Sequence, residues 1–344
     1  MNTLLLGNNK EDIKTAAKFL KDGGVVAMPT ETVYGLAADA LNGDAVKKIF
    51  LAKRRPMDNP LIVHISEIED IERFNLVSDF PETAKVLAEH FWPGPLTIIM
   101  NKSDMIPDEV SAGLSTVAIR LPSHEVAREL IKESGTVLAA PSANRSGSPS
   151  PTTAQHVLND LWGDIEAVVD GGMCDVGLES TVITLATKTP RLLRPGLVTV
   201  EDIEKVIGHI DVDHAVLFKL ESDKKVASPG MKYKHYAPKA RVILLNGEDD
   251  KFIDFVNSAF ENDNTVGVIC YDEDVESIKA KTIPIGKGDD VETQAHLLFD
   301  ALRQVDELNC FTTVYAHCPL KTGVSMALYN RLIRAASFEV IDLE

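Results

Sequence analysis

The sequence is poor in cysteine: four in 344 residues, at positions 174, 270, 310 and 318, with no C-x-x-C pair among them. That argues against a zinc ribbon and against a disulfide framework, both of which need closely paired cysteines. No apolar run approaches the ~20 residues needed to cross a bilayer, so no membrane association is expected. The opening MNTLLLGNNKED has neither a basic n-region nor an adequate apolar core, and no signal peptide is expected there. These absences together point to a reduced, cytoplasmic setting. Positive charge is also scarce, with Lys plus Arg at 35 against 52 for Asp plus Glu, a net charge of −17. A nucleic-acid module normally carries a cationic footprint, so any anion site here must be local. Finally, G-x-G-x-x-G does not occur, which removes the usual dinucleotide fingerprint.

What remains is ordinary globular composition, 44% hydrophobic and 25% charged. The chain is longer than one compact core usually holds, so two domains are expected. Ile13, Ala16, Ala17 and Leu20 form a helical stripe that Gly23-Gly24 closes. Val25 to Met28 reads as a buried strand, and Asp44 caps a second helix that Pro56 ends near Arg55. Strands are expected over 61–66, 96–100, 117–121, 136–140, 167–170, 181–185 and 191–194. Helices over 125–132, 154–161 and 201–207 fall between them. The result is a mixed α/β domain over residues 1–210. A polar stretch, 211–238, reads as a linker. From 239 to 344, strands at 242–245, 266–270 and 312–315 alternate with helices at 252–260, 295–308 and 325–336. That order implies a small Rossmann-like parallel sheet.

Two basic knots stand out against the acidic background, Lys53-Arg54-Arg55 and the stretch from Lys232 to Arg241. Cations at a helix C-terminus ordinarily complement its dipole and stay solvated. Here Pro56-Met-Asp-Asn-Pro60 follows, a rigid turn able to hold them in place for phosphates. Pro141-Ser-Ala-Asn-Arg-Ser-Gly-Ser-Pro149 follows an apolar strand. It is either a plain surface loop or the place where an α/β site collects ligand contacts. Arg120, at a strand end, either snorkels to water or clamps a carboxylate or phosphate. His64 alone is more simply a half-buried structural histidine, and nothing near Cys174 suggests an activating base.

Taken together, the segments resemble the long, two-domain threonylcarbamoyl-adenylate synthases with a YrdC-like catalytic domain. Pro29-Thr-Glu-Thr-Val-Tyr-Gly35, Lys53-Arg-Arg-Pro56 with Asn59-Pro-Leu61, and Phe91-Trp-Pro-Gly-Pro-Leu-Thr97 carry the resemblance. Ala140-Pro-Ser-Ala-Asn144, Glu179-Ser-Thr181, Leu192-Leu-Arg-Pro-Gly196 and Ser228-Pro-Gly-Met-Lys-Tyr-Lys-His-Tyr-Ala-Pro238 continue it in order. Asn330-Arg-Leu-Ile-Arg-Ala-Ala336 fits the family's accessory domain, although Gly323 is followed by Val324 and Ser325 where a second glycine is expected.

The resemblance implies a twisted mixed sheet followed by a small Rossmann-like domain. It also implies a reaction of L-threonine, bicarbonate and ATP, with Mg2+ accompanying the ATP, that yields threonylcarbamoyl-AMP and pyrophosphate. A downstream tRNA threonylcarbamoyl transferase would use the product, so tRNA is a partner only indirectly. Lys53, Arg55, Ser142 and Asn144 are the implied catalytic residues around the phosphates. Asn59, Thr116, Ser150, Arg194 and Tyr236 complete the nucleotide site. Thr32, His64, Arg120, Ala140 and Ser180 hold threonine, with His64 as the sole candidate general base. The segment Ser228–Pro238 is expected to fold over the cleft as a lid. The rival readings are a nucleotide- or RNA-binding regulatory protein without catalysis and a hydrogenase-maturation carbamoyltransferase. The latter would carry C-x-x-C pairs, which this chain lacks.

Overall fold

The computed structural model describes residues 2–218 and 236–344. It divides into two compact units. Of the described residues, the first comprises 2–146 and 150–216, and the second 147–149, 217–218 and 236–344.

In the first unit, β1 (Leu4–Leu6), α1 (Lys10–Lys21), β2 (Val26–Met28) and β3 (Gly35–Asp39) are followed by α2 (Gly43–Lys53) and β4 (Ile62–His64). Next come α3 (Asp70–Arg73), α4 (Glu82–Phe91), β5 (Leu96–Asn101), α5 (Asp108–Ser111) and β6 (Thr116–Arg120). Then follow α6 (Glu125–Ser134), β7 (Leu138–Ala139), α7 (Ala154–Leu161) and β8 (Ala167–Val169). The unit closes with β9 (Thr181–Thr184), β10 (Arg191–Arg194), α8 (Val200–Ile207) and β11 (Asp211–Val212). These strands form one mixed sheet in the order β1-β8-β2-β3-β7-β4-β6-β5-β9-β10-β11.

Helix α1 illustrates how the sequence builds this layer. The Asn9 side chain accepts the Glu11 and Asp12 backbone N–H groups, satisfying donors that a helix start leaves orphaned. Ile13, Ala16, Ala17 and Leu20 then bury themselves against Val26, Met28, Leu130 and Val169. At ~1.5–3 kcal/mol for each large aliphatic group buried, such contacts secure the helix better than its intrinsic propensity.

The centre of the sheet sets up the site. Strands β4 and β6 are parallel, so His64 lies beside Arg120, and β5 runs antiparallel to β6. β7 is shorter than the strand expected over 136–140, because Ala140 already turns into the Pro141 loop after its N–H bonds the Ile62 carbonyl. Asp211–Val212, in the stretch read as linker, pairs parallel with β10.

The second unit is an all-parallel sheet. It contains β12 (Arg241–Asn246), α9 (Asp249–Asn262), β13 (Val266–Cys270), β14 (Lys281–Pro284), α10 (Val291–Leu308), β15 (Thr313–His317), α11 (Ser325–Ala335) and β16 (Val340–Asp342). Its strand order is β14-β13-β15-β12-β16. Val266 to Cys270 is buried throughout, as expected of a strand covered on both faces. The proposed lid segment lies outside the described residues except for Tyr236, Ala237 and Pro238.

Candidate active site

Two groups of the expected residues assemble in the first unit. One gathers where β4, β5 and β6 meet the start of β9. The 2–3 turn, Pro29 to Tyr34, brings Thr32 to Arg120, whose Nη1 donates to the Thr32 Oγ1 at 2.9 Å. Thr30 organises that turn: its hydroxyl donates to the Val33 carbonyl and accepts from the Thr32 and Val33 N–H groups. Glu31, which no sequence argument singled out, places Oε1 2.7 Å from Arg120 Nη2, with both side chains nearly inaccessible to water. Burial, the largest single influence, would raise the Glu31 carboxyl, but the charge and guanidinium of Arg120 together with nearby backbone N–H groups outweigh it and hold the group below its usual value.

His64 is buried in the same group. Its Nδ1 lies 3.1 Å from the Ile62 carbonyl oxygen. A carbonyl can only accept, so the proton sits on Nδ1 and Nε2 is left as an acceptor. Burial, followed by the nearby charge of Arg120, pulls the imidazole pKa down to about 3. A group this weakly basic suits hydrogen-bond acceptance better than the proton abstraction expected of a general base at neutral pH.

On the other side of Arg120, Thr97 Oγ1 and Ser180 Oγ are 2.7 Å apart. Trp92 launches this strand by donating its indole N–H to the Leu96 carbonyl at 2.7 Å. Arg194 ties β10 to the same point, with Nε donating to the Ser180 carbonyl and Nη2 to its hydroxyl. Gly196 explains the Arg-Pro-Gly exit. A Cβ there would fall 2.5 Å from the Thr181 nitrogen, so only glycine lets the backbones approach this closely. Glu179 accepts from the Ser150 hydroxyl at 2.7 Å, which anchors Ser150 beside the Ser180 turn.

The second group joins the end of α2 to the loop after β7. Helix α2 ends with Arg54 in the left-handed region, φ 53°, a conformation that costs a non-glycine residue about 1–3 kcal/mol. This turn leaves Lys53 buried, and its ammonium donates to the Ser142 carbonyl, to the Asn144 carbonyl at 2.6 Å and toward Asn144 Oδ1 at 3.3 Å. Ser142 Oγ donates to the same Oδ1 at 2.5 Å. Lys53 is thus a brace for the Ser-x-Asn loop. Arg55 follows the turn and directs Nη2 toward the Asn59 and Pro60 carbonyls at 3.3 and 3.4 Å. Asn59 is buried, and its Oδ1 has no hydrogen-bond partner among the described residues.

Thr116 and Tyr236 are placed by other elements. Thr116 starts β6 and shares a face with Arg120 but lies four residues away, about 13 Å along the strand. Tyr236 belongs to the second unit, where its ring packs 5.2 Å from Phe299 and lies beneath the Arg331 guanidinium. Cys174 is buried and burial pushes its thiol up to about 12, which suits an inert core residue. Among the described residues, no three His, Cys, Asp or Glu side chains are placed to hold a metal ion, and no helix is long and apolar enough to cross a membrane.

Comparison with known proteins agrees with this architecture. A family model described as telomere recombination matches residues 18–196, and one described as threonylcarbamoyl-AMP synthase, C-terminal domain, matches 198–337. A threonylcarbamoyl-AMP synthase of Pyrococcus abyssi is 46% identical over 338 residues, 96% of each chain. One of Bacillus subtilis is 47% identical, covering 98% of this chain and 96% of its own. The crystal structure of P. abyssi Sua5 complexed with L-threonine superimposes with a TM-score of 0.92 at 43% identity, covering both chains completely. On this evidence, the chain belongs to the threonylcarbamoyl-AMP synthase family, with both of that family's domains.

Proposed function

We propose that this protein condenses L-threonine, bicarbonate and ATP to threonylcarbamoyl-AMP and pyrophosphate. Family membership supports the reaction class, and the buried Arg120 group beside the Lys53-braced loop is the observation that carries the reading. The threonine amine attacks the bicarbonate carbon and water leaves, giving a carbamate. A carbamate oxygen then forms a bond to the α-phosphorus as the bond to pyrophosphate breaks.

In this reading Arg120 receives the threonine carboxylate through its planar fork, and the Nε2 of neutral His64 accepts from the substrate. Thr32, Ser180 and the Ala140 backbone complete the threonine pocket. Arg55, Asn59, Thr116, Ser142, Asn144, Ser150 and Arg194 serve the nucleotide, and the assignment of Tyr236 rests on resemblance alone. Donors held where charge develops need no reorganisation during the reaction, and one such donor is typically worth ~10²–10³ in rate. The brace on Lys53 supplies that rigidity for Ser142 and Asn144.

Mg2+ fits as a companion of the ATP phosphates, because it commonly binds through phosphate oxygens with few protein ligands. Bound there, it would neutralise charge on the departing pyrophosphate. Catalysis belongs to the first unit, which runs past residue 210 because β11 joins its sheet, and the accessory role to the domain from residue 239 to 344. A tRNA threonylcarbamoyl transferase downstream would consume the labile product. The full-length synthase relatives do not favour the non-catalytic, nucleotide- or RNA-binding reading. The test is pyrophosphate release by the purified chain, which should require threonine and bicarbonate together. Equal release without threonine would refute the reading.

A further inference from the structure

The Glu31–Arg120 pair is close but incompletely used. Its 2.7 Å approach is an ion pair without the alignment of a hydrogen bond, and the two side chains are only 6% and 4% exposed. Among the described residues, both Glu31 oxygens and Arg120 Nε and Nη2 lack a partner in hydrogen-bond geometry. Nη1 makes an aligned hydrogen bond, to Thr32. Buried charged groups normally have their hydrogen-bonding capacity filled, so this arrangement is built for something that completes it.

An α-amino acid zwitterion offers the complement, since its carboxylate and ammonium are adjacent charges of opposite sign. We propose that Glu31 receives the substrate's α-ammonium, so that Glu31 and Arg120 form a split receptor for the amino-acid head group. The inference rests on the reading that this pocket takes L-threonine.

The electrostatics favour it. The charged side chains otherwise assigned around the pocket, Arg120 and Arg194, are both cations, and His64 is neutral. An ammonium entering without Glu31 would be desolvated among like charges. Glu31 is also ionised at neutral pH, where threonine is a zwitterion, because its carboxyl is held below the usual value. Before substrate arrives, the same carboxylate neutralises buried Arg120 and keeps its fork at the pocket. Glu31 is therefore a specificity determinant that selects an amine beside the carboxylate, where Thr32 and Ser180 address the side-chain hydroxyl.

Calorimetry on the full chain tests this with two ligands, L-threonine and 2,3-dihydroxybutanoate, which carries a hydroxyl in place of the ammonium. Charge-assisted hydrogen bonds predict that the wild type binds threonine about 10- to 150-fold more tightly than the hydroxy acid. Glu31→Gln should lose most of that preference by weakening threonine, while binding the hydroxy acid at least as well because Arg120 is released. Glu31→Asp keeps the charge and should restore part of the preference. Equal weakening of both ligands in Glu31→Gln would mean a purely structural role and overturn the proposal. Should that variant not fold, the wild type still decides, because equal affinity for the two ligands overturns the proposal without any substitution. Failure of the wild type to bind threonine at all would instead overturn the threonine reading on which the proposal stands.

Discussion

Replacing Lys53 by methionine separates two roles, phosphate ligand and structural brace, that the Lys53-x-Arg55 pair invites. Methionine nearly matches the aliphatic stem in volume, so the change removes the ammonium without opening a large cavity. In the structure that ammonium serves the Ser142 and Asn144 carbonyls and reaches Asn144 Oδ1. Each buried acceptor left unsatisfied costs about 1–3 kcal/mol, so the loss of both carbonyl bonds should destabilise the fold by about 2–6 kcal/mol. At roughly 2–4 °C per kcal/mol for a unit of this size, Lys53→Met should melt about 4 °C or more below wild type. Scanning calorimetry reads that shift, and pyrophosphate release at saturating ATP reads the accompanying fall in turnover as Ser142 and Asn144 lose their positions. The two effects should appear together. Unchanged melting with a large loss of ATP affinity would make Lys53 a direct phosphate ligand and refute the brace.

Other expectations follow from the same geometry. Because His64 has a folded pKa near 3 against an ordinary 6.5, the unfolded chain takes up this proton first as pH falls. Stability should therefore decline below pH 6.5, with a contribution from His64 of up to ~1.4 kcal/mol per pH unit. Denaturant titrations at pH 6.5, 5.5 and 4.5 should show a shallower slope in His64→Asn, and an unchanged slope would contradict the assigned shift. Arg55→Ala should slow turnover at saturating threonine, whereas Arg120→Ala should mainly weaken threonine binding, by about 10- to 150-fold. Unaltered threonine affinity in Arg120→Ala would remove it from the pocket. Iodoacetamide at pH 8 should label exposed Cys310 in the native protein and spare Cys174 and Cys270, whose thiols burial holds near 12. Labelling of Cys174 as fast as Cys310 would place its thiol in a more open setting.

The central strands were legible in sequence because each carries enough apolar side chains to state its own pattern. β5, β6, β9 and β13 are of this kind. β1, β14 and β16 are short and lie at sheet edges, where partly exposed residues blur the alternation. Helix α4 buries Ala84, Leu87 and Ala88, two of them too small to raise a strong periodic signal. The site shows a sharper divide. Lys53 and Ser142-x-Asn144 were visible as motifs, but their mutual bonding was not, because it depends on a left-handed residue at Arg54 that sequence gives no reason to expect. Glu31 reads as one polar residue in a Thr-Glu-Thr turn until the sheet brings Arg120 against it. His64 was recognisable as a site residue, yet its proton affinity is set by burial and a neighbouring cation, which are properties of the folded chain.

Mass spectrometry of a reaction containing ATP, Mg2+, threonine and isotopically labelled bicarbonate tests the central claim most directly. The account predicts an adenylate whose mass includes both threonine and the labelled carbon, formed in step with pyrophosphate. AMP and pyrophosphate without that adduct, even when the mixture is quenched at early times, would contradict it.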